Sequence, residues 1–331
     1  MKRKAIALLS GGLDSTLAVK IILQQGIEVE AVNFITPFCA CSRTKGCQHE
    51  AKRVTESFGI PLKVFNIFEE YMEVVKKPKY GYGKGMNPCI DCRILMFRKA
   101  KSYMAEAGAS FVITGEVLGQ RPMSQYRRAM EIIERDSGLE RLILRPLSAK
   151  LFAITLPEEK GWVDREQLLN ISGRSRKPQI NLAENLQINE YPCAAGGCLL
   201  TDTIFARKMK DLLANTPCPT LNDIQLLKTG RHFRLSKELK AVVGRNEEEN
   251  KRLFGLLRHG DVSLEVRDDK GPVVICRGII NHDCLLKAAA ICARYSDNKG
   301  ESEVLISGIP LEQDVLSVCP IDDSELERLR I

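Results

Sequence analysis

The sequence predicts an α/β fold, a parallel twisted sheet with helices on both faces, followed by a smaller α+β domain. Three observations predict it. Short apolar runs alternate with amphipathic stretches over the first 150 residues, a glycine-bearing turn joins the first run to the first amphipathic stretch, and the texture changes after Pro217 and Pro219. Alternating strand and helix patterns are the mark of β-α-β units, which bury a parallel sheet between helices. Ligands of such sheets bind beyond the carboxyl ends of the strands, so the chemistry is expected in the loops there.

Strands are expected at 4–9, 29–35, 62–67, 111–114 and 142–147. A helix over 16–25 closes at Gly26, a residue suited to a left-handed C-cap. A second helix, over 94–105, follows a pair of cysteines. Between 157 and 192 the pattern is broken by Gly, Pro, Asn and basic residues, with one short helix at 164–171, and this stretch reads as an active-site excursion. A helix over 204–213 precedes the prolines, and strand-like runs follow at 263–266 and 273–275. The domains are therefore expected at 1–215 and 216–331. The sequence shows no internal repeat, low-complexity tract or coiled coil.

A chain of 331 residues has enough length for two cores, and 44% hydrophobic with 27% charged residues excludes a mostly disordered chain. The formal charge of +7 is compatible with a polyanionic partner without requiring one. Its clustering says more. Eight Lys or Arg residues stand between Lys76 and Lys101 against the single acid Asp91, and Arg174, Arg176 and Lys177 form a second cluster. Two solvated loops would look the same. The apolar run at 5–9 is too short for a signal peptide, and nothing has the length of a membrane span, so a cytoplasmic protein is expected. In that compartment 12 cysteines in CxC, CxxC and CxxxxC spacings point to metal, cluster or persulfide chemistry rather than structural disulfides.

The first strand runs into Ser10-Gly11-Gly12-Leu13-Asp14-Ser15 and then Thr16. Two glycines let the backbone approach an anion, and the serines and helix amino end supply donors and positive potential for phosphate oxygens. Asp14 suits a magnesium ion. The bland alternative is a glycine turn with a capped helix. This hexapeptide resembles the signature of the PP-loop ATP pyrophosphatases, and the resemblance implies an ATP- and Mg2+-using enzyme that adenylates an oxygen and releases pyrophosphate.

Asn87-Pro88-Cys89-Ile90-Asp91-Cys92-Arg93 sets two thiols three residues apart in the most basic stretch, where a helix end and nearby cations favour thiolates. Cys193 and Cys198 follow far downstream on a glycine-bearing turn. With them in view, residues 4–150 resemble the tRNA-thiolating branch of the PP-loop enzymes. Cys89 to Met96, Thr114 to Gln120 with Ser124-Gln125, and Leu144-Arg145-Pro146-Leu147 are similar to successive motifs of tRNA 4-thiouridine synthases, although Ala149-Lys150 stands where Asp-Lys is usual. The NPCxxC segment with a distant cysteine also resembles the tRNA 2-thiouridylases. The resemblance implies sulfur work at Cys92 and Cys198, nucleotide contacts at Thr114, Gly115 and Gln120, and tRNA and a sulfur donor (sulfide or a persulfide carrier) as partners. Two mechanisms fit. In one, Cys89, Cys92 and Cys198 (or Cys193) hold a [4Fe-4S] cluster. In the other, Cys198 carries a persulfide that Cys92 resolves. Cys39, Cys41, Cys47 and His49 are a weaker candidate set for zinc or a second cluster, with substrate contact as the alternative role. His232, His259 and His282 read as core or surface residues.

In the second domain, Gly230 to Leu235, Val242 to Asn250 and Ala293 to Ser296 resemble the RNA-binding domain of NFACT proteins. Arg231, Arg234 and Arg245 are expected to meet phosphates, and Phe233 or Tyr295 to stack on a base. The alternative is a mixed-sheet domain that only stabilises the enzyme or dimerises it; the sequence leaves a homodimer open. The leading reading is tRNA thiolation with adenylation of a uridine carbonyl. A PP-loop enzyme adenylating another substrate and a noncatalytic, ATP-responsive RNA-binding factor are the rivals.

Overall fold

The structure, a computed structural model, describes residues 3–39, 47–191, 197–298, 300–308 and 314–331. The chain forms two compact units, Met1–Thr201 and Asp202–Ile331.

The first unit runs β1 (Lys4–Leu8), α1 (Leu13–Gln24), β2 (Glu28–Ile35), α2 (Cys47–Phe58), β3 (Leu62–Asn66), α3 (Phe68–Lys76), α4 (Cys89–Glu106), β4 (Phe111–Thr114), α5 (Arg127–Ser137), β5 (Ile143–Leu144), α6 (Leu156–Glu159) and α7 (Lys177–Asn185). All five strands are parallel, in the order β3-β2-β1-β4-β5. Central β1 is apolar on both faces because both are covered. Ala5, Ala7 and Leu9 pack with Leu13 and Leu17 of α1 and Ala183 of α7, whereas Ile6 and Leu8 pack with Ile94 and Phe97 of α4 and Ile133 of α5.

Strand order reverses at β1, which puts the ligand-binding crevice of this architecture beyond the carboxyl ends of β1 and β4. The loops leaving those strands touch backbone to backbone. A Cβ on Gly115 would collide with the backbone of Asp14 and Ser15. Gly11, at φ +77°, lies so close to α2 that a Cβ would stand 2.6 Å from the Ala51 nitrogen.

Three expectations shift, the first being that helix α1 begins at Leu13 rather than at 16, which puts Asp14 and Ser15 in its first turn. Helix α4 begins at Cys89 rather than at 94, so the cysteine pair occupies its first turn. The helix expected at 164–171 shortens to a 3-10 turn at Arg165–Gln167. The backbone beyond it pairs with the β5 exit instead, through Leu169 N–H to Pro146 O (2.9 Å) and Ile171 N–H to Leu147 O (2.8 Å).

The second unit runs α8 (Thr203–Asn215), α9 (Leu221–Leu227), β6 (Arg231–Arg234), β7 (Leu239–Val243), α10 (Glu247–Phe254), β8 (Val262–Val266), β9 (Val274–Gly278), α11 (His282–Arg294), β10 (Ser302–Ser307), β11 (Val315–Val318) and α12 (Asp323–Leu329). Its six strands form an antiparallel sheet, β11-β10-β8-β9-β7-β6. Ala288, Ala289 and Cys292 of α11 cover one face, and Leu226 of α9 and Leu253 of α10 meet Val242 and Ile275 on the other. The break at Thr201 falls ahead of the 215/216 boundary read from texture. Helix α8 packs on α9, its Asp211 pairs with Arg234, and its Lys208 ammonium donates to the carbonyls of Leu227 and Gly230.

The contact of the β1 and β4 loops gives a test. Gly115→Ala is expected to lose about 1–3 kcal/mol of stability, the usual cost of overpacking, read as a lower urea midpoint; an unchanged midpoint would mean the two loops do not abut.

Candidate active site

Gly12 is the N-cap of α1, in extended conformation, and no side chain caps that helix end. The first-turn N–H groups are therefore left for an anion. The loop is held by its own hydroxyls. Ser15 Oγ and Thr16 Oγ1 donate to Gly12 O at 2.9 and 3.0 Å, Ser10 Oγ lies 3.2 Å from Ser15 Oγ, and Gly12 N–H donates to Ser10 Oγ at 3.4 Å. Asp14 Oδ2 accepts from Gln120 Nε2 at 2.9 Å. Asp14 Oδ1 and Gln120 Oε1 are buried with no hydrogen-bond partner among the described residues. Bare buried acceptors mark a site completed by a cation or water, so the residues present fit a magnesium–phosphate group.

Behind the crevice stands a charge bridge. Buried Glu116 accepts from Arg93 Nε at 2.8 Å and from Arg145 Nε at 3.2 Å. Arg145, also buried, pairs with Glu134 as well, and Arg93 Nη2 reaches Thr114 Oγ1 at 3.4 Å. Arg93 follows Cys92, so this bridge ties the cysteine turn of α4 to the end of β4. Asp91, buried between the cysteines, accepts the backbone N–H groups of Lys79 and Tyr80 at 3.1 and 3.0 Å and fastens the basic stretch to the same turn.

The thiols converge on α3. Tyr71 is 2% exposed, packs edge-on against Phe38 with ring centroids 5.6 Å apart, and lies close enough to the Cys92 and Cys198 thiols to act on both. Cys89 lies close enough to act electrostatically on both thiols, and Cys39 on Cys198. Backbone pairing holds the remote cysteine: Cys198 bridges to Cys39, Leu199 N–H donates to Phe38 O at 2.8 Å, and Met86 N–H donates to Leu200 O at 2.8 Å. Burial pushes the Cys92 thiol up to about 12, against the opposing Tyr71 hydrogen bond and Arg93 charge. Burial likewise pushes Cys198 up to about 11. These are protonated thiols at neutral pH, not the thiolates that the basic sequence context suggests; withdrawal from water outweighs the cations. Among the described residues no three His, Cys, Asp or Glu side chains are set to hold a metal ion as they stand.

Of the weaker set, Cys39 joins this centre, Cys41 and the Cys47 side chain lie outside the described residues, and His49 is exposed on α2; Cys193, the alternative to Cys198, also lies outside the described residues. Tyr71, Asp91, Glu116 and Arg145 have no role in the sequence reading. Tyr71 looks like any core aromatic of an amphipathic helix, and a spacing rule cannot pair Arg93 with Glu116 across 23 positions.

The arginines of the second unit are already engaged. Arg234 makes a two-pronged pair with Asp211 (2.9 and 2.5 Å), Arg245 does so with Glu249 (3.0 and 2.7 Å), and the Arg231 guanidinium lies 4.6 Å from the Tyr295 ring centre. Arg245 remains half exposed, so its pair is weak enough to exchange for a phosphate, whereas Arg234 is mostly covered. Phe233 is fully buried and cannot stack on a base; it is a core residue. The Gly244–Asn250 turn is self-contained: Asn246 caps α10, and Asn250 Oδ1 accepts Val273 N–H at 3.1 Å in the space a Cβ on Gly244 would fill. His232 is likewise core, 1% exposed, and burial holds its imidazole well below the ordinary histidine range.

The first unit is thus a doubly wound parallel α/β domain with a self-bonded glycine loop where its strand order reverses. Residues 1–150 match the family model described as thiamine biosynthesis protein (ThiI), and residues 230–330 match that of the NFACT protein RNA binding domain. A probable tRNA sulfurtransferase of Thermoanaerobacter sp. (strain X514) is 34% identical over 121 residues, which are 35% of this chain and 30% of that protein. A tRNA-specific 2-thiouridylase MnmA of Sulfurimonas denitrificans is 32% identical over 126 residues, 36% of each. The chain thus spans about a third of the length of these curated relatives. Among solved structures, a 4-thiouridine synthetase–RNA complex with bound ATP is 24% identical, with 56% of this chain and 52% of that one covered and a TM-score of 0.36. The U34-tRNA thiolase NcsA of Methanococcus maripaludis with its [4Fe-4S] cluster is 17% identical, with 68% and 69% covered and a TM-score of 0.32.

Thiol protonation gives a second test. With a thiol at about 12, roughly one Cys92 in ten thousand is thiolate at pH 8. Iodoacetamide is expected to label the exposed Cys218 and Cys319 ahead of Cys92 in metal-free protein, and Cys92 labelling should climb about tenfold per pH unit up to pH 11. Tyr71→Phe removes the hydrogen bond that lowers both thiols and should slow labelling further. Rapid modification of Cys92 at pH 7, followed by peptide mass spectrometry, would contradict this account.

Proposed function

We propose that this chain is an ATP-dependent tRNA sulfurtransferase, which adenylates a uridine carbonyl oxygen and replaces that oxygen with sulfur. The supporting observation is the gathering of Cys89, Cys92 and Cys198 about Tyr71, the first two in a turn that Arg93 and Glu116 tie to the crevice beside Ser10–Ser15. A uracil oxygen is a poor leaving group. Its attack on the α-phosphorus of ATP expels pyrophosphate, and a sulfur nucleophile then takes the carbon while AMP leaves with the oxygen.

Each part of the first unit has a task in that sequence. The amino end of α1, Ser10, Gly11 and Gly12 hold phosphate oxygens; Thr16 braces the loop; Gly115 keeps the β4 exit against it; Thr114 steadies Arg93. Asp14, oriented by Gln120, has the bare oxygen suited to Mg2+, which when bound shares the charge developing on pyrophosphate.

The thiol set favours a [4Fe-4S] cluster on Cys89, Cys92 and Cys198 over a persulfide on Cys198. A persulfide route needs ionised thiols at neutral pH, which burial opposes here. Metal coordination deprotonates a buried thiol outright, and sulfurs around a cluster stand farther apart than donors around one ion. When bound, such a group supplies a centre that ionises its cysteine ligands and binds inorganic sulfide. The second unit, through Arg231 and Arg245, holds tRNA. No helix among the described residues is long and apolar enough to cross a membrane, in keeping with a cytoplasmic enzyme.

Mass spectrometry of tRNA nucleosides from a strain lacking the gene is expected to miss one thionucleoside. Wild type should restore it, and Asp14→Ala should not, while still binding tRNA; a full set of thionucleosides in the deletion strain would refute the proposal. Anaerobically purified protein is expected to be brown, and Cys89→Ala with Cys92→Ala to be colourless. An iron-free wild type would remove the cluster but leave the adenylation.

A further inference from the structure

The basic segment at the start of α7, with Arg174, Arg176 and Lys177, has no part in the reading above. Its location is set by local contacts. Ser172 bridges in parallel to Leu118, Gly173 N–H donates to Leu118 O at 2.7 Å, and a Cβ on Gly119 would lie 3.5 Å from the Gly173 nitrogen. The chain therefore enters α7 beside the turn that carries Gln120 to Asp14. Helix α7 then packs against α1, with Ile180 and Ala183 joining Leu13 and Leu17 in one core. The segment that enters α7 and the first turn of α1 thus both contact the 118–120 turn, the former at Leu118 and the latter through Gln120 and Asp14.

Gln179, in the first turn of α7, is fully buried, and neither its amide nitrogen nor its amide oxygen has a partner among the described residues. Arg176 is the N-cap, and its Nε is buried and equally unpartnered among them. No side chain caps α7. An amide buried with both ends unsatisfied is costly, and proteins keep such groups where a ligand completes them. Asp14 Oδ1 and Gln120 Oε1, joined to the 118–120 turn through the Gln120–Asp14 hydrogen bond, are bare in the same way.

We propose that the amino end of α7, with Arg176 and Gln179, is the subsite for the terminal phosphates of ATP and for the pyrophosphate that leaves. This rests on the ATP-consuming reading above and adds a second wall to it. The loop at 10–15 offers backbone N–H groups and hydroxyls but no cation, and its one charged side chain, Asp14, is an acid. Pyrophosphate carries several negative charges, and a guanidinium at a helix amino end meets them with directed, charge-assisted hydrogen bonds. Gln179 adds a neutral donor that needs no counter-charge. AMP, which lacks the terminal phosphates, would not use this wall.

Calorimetric titration of the full chain with ATP, AMP and pyrophosphate, each with magnesium, tests it. Arg176→Ala is expected to weaken ATP and pyrophosphate about tenfold or more while leaving AMP unchanged. Gln179→Glu, isosteric but negative, should do the same, and Arg176→Lys should recover part of the loss. Thermal melts of each variant confirm folding. Wild type that binds ATP, with Arg176→Ala and Gln179→Glu binding ATP as tightly or losing AMP equally, overturns the subsite and spares the function. A wild type that binds none of the three ligands removes the ATP-consuming reading and the subsite together.

Discussion

Buried Glu116, held between Arg93 and Arg145, is the interaction on which the first unit's arrangement depends. A carboxylate this deep is tolerable only with its cations in place, and removing one partner of such a set typically costs about 3–5 kcal/mol because a charge is left buried alone. The three residues come from the start of α4, the end of β4 and the exit of β5. Their pairing fixes the first turn of α4 against the crevice. With Gly115 pressed on the backbone of Asp14 and Ser15, one frame carries both the glycine loop and the cysteine turn.

Within that frame the thiols occupy a dry setting. Phe38 and Tyr71 exclude water, and the short backbone pairing of Cys198 with Cys39 brings a cysteine from more than a hundred positions away into the same space. Such a setting keeps thiols neutral and therefore inert until something withdraws their protons. Asp91 adds a second function to the CxxC turn. Accepting two backbone N–H groups, it anchors the lysine-rich stretch of 76–88 beside the centre, so that the positive charge a polyanion would meet is organised from the same turn.

In the second unit the residues that carry the family resemblance act first as architecture. Gly244 makes room for the Asn250 side chain, Asn246 caps α10, and Glu249 takes Arg245. Arg234 and Lys240 share Asp211, and burial brings the Lys240 ammonium down to about 7. A motif of arginines is thus not equivalent to a basic surface, since charge meets a partner only when no carboxylate of the same chain has claimed it.

The five strands of the first unit, the glycine loop after the first of them and the helix that follows were legible in the residues, because strand and helix periods and the two glycines are local properties set by backbone sterics and by which face is covered. Ser10 to Thr16 needed no tertiary information. The short turn at Arg165–Gln167 and the start of α4 at Cys89 did, since backbone pairing with the β5 exit and the anchoring of Asp91 overrode local preference. So did the protonation of Cys92, where burial reversed what neighbouring cations imply, and the fate of Phe233, Arg234 and Arg245. Sequence by itself determined which residues have the chemistry and which elements carry them. Only the folded chain decided which of those groups meet, which are withdrawn from water and which are already paired, because desolvation and contact arise between segments that no spacing along the chain relates.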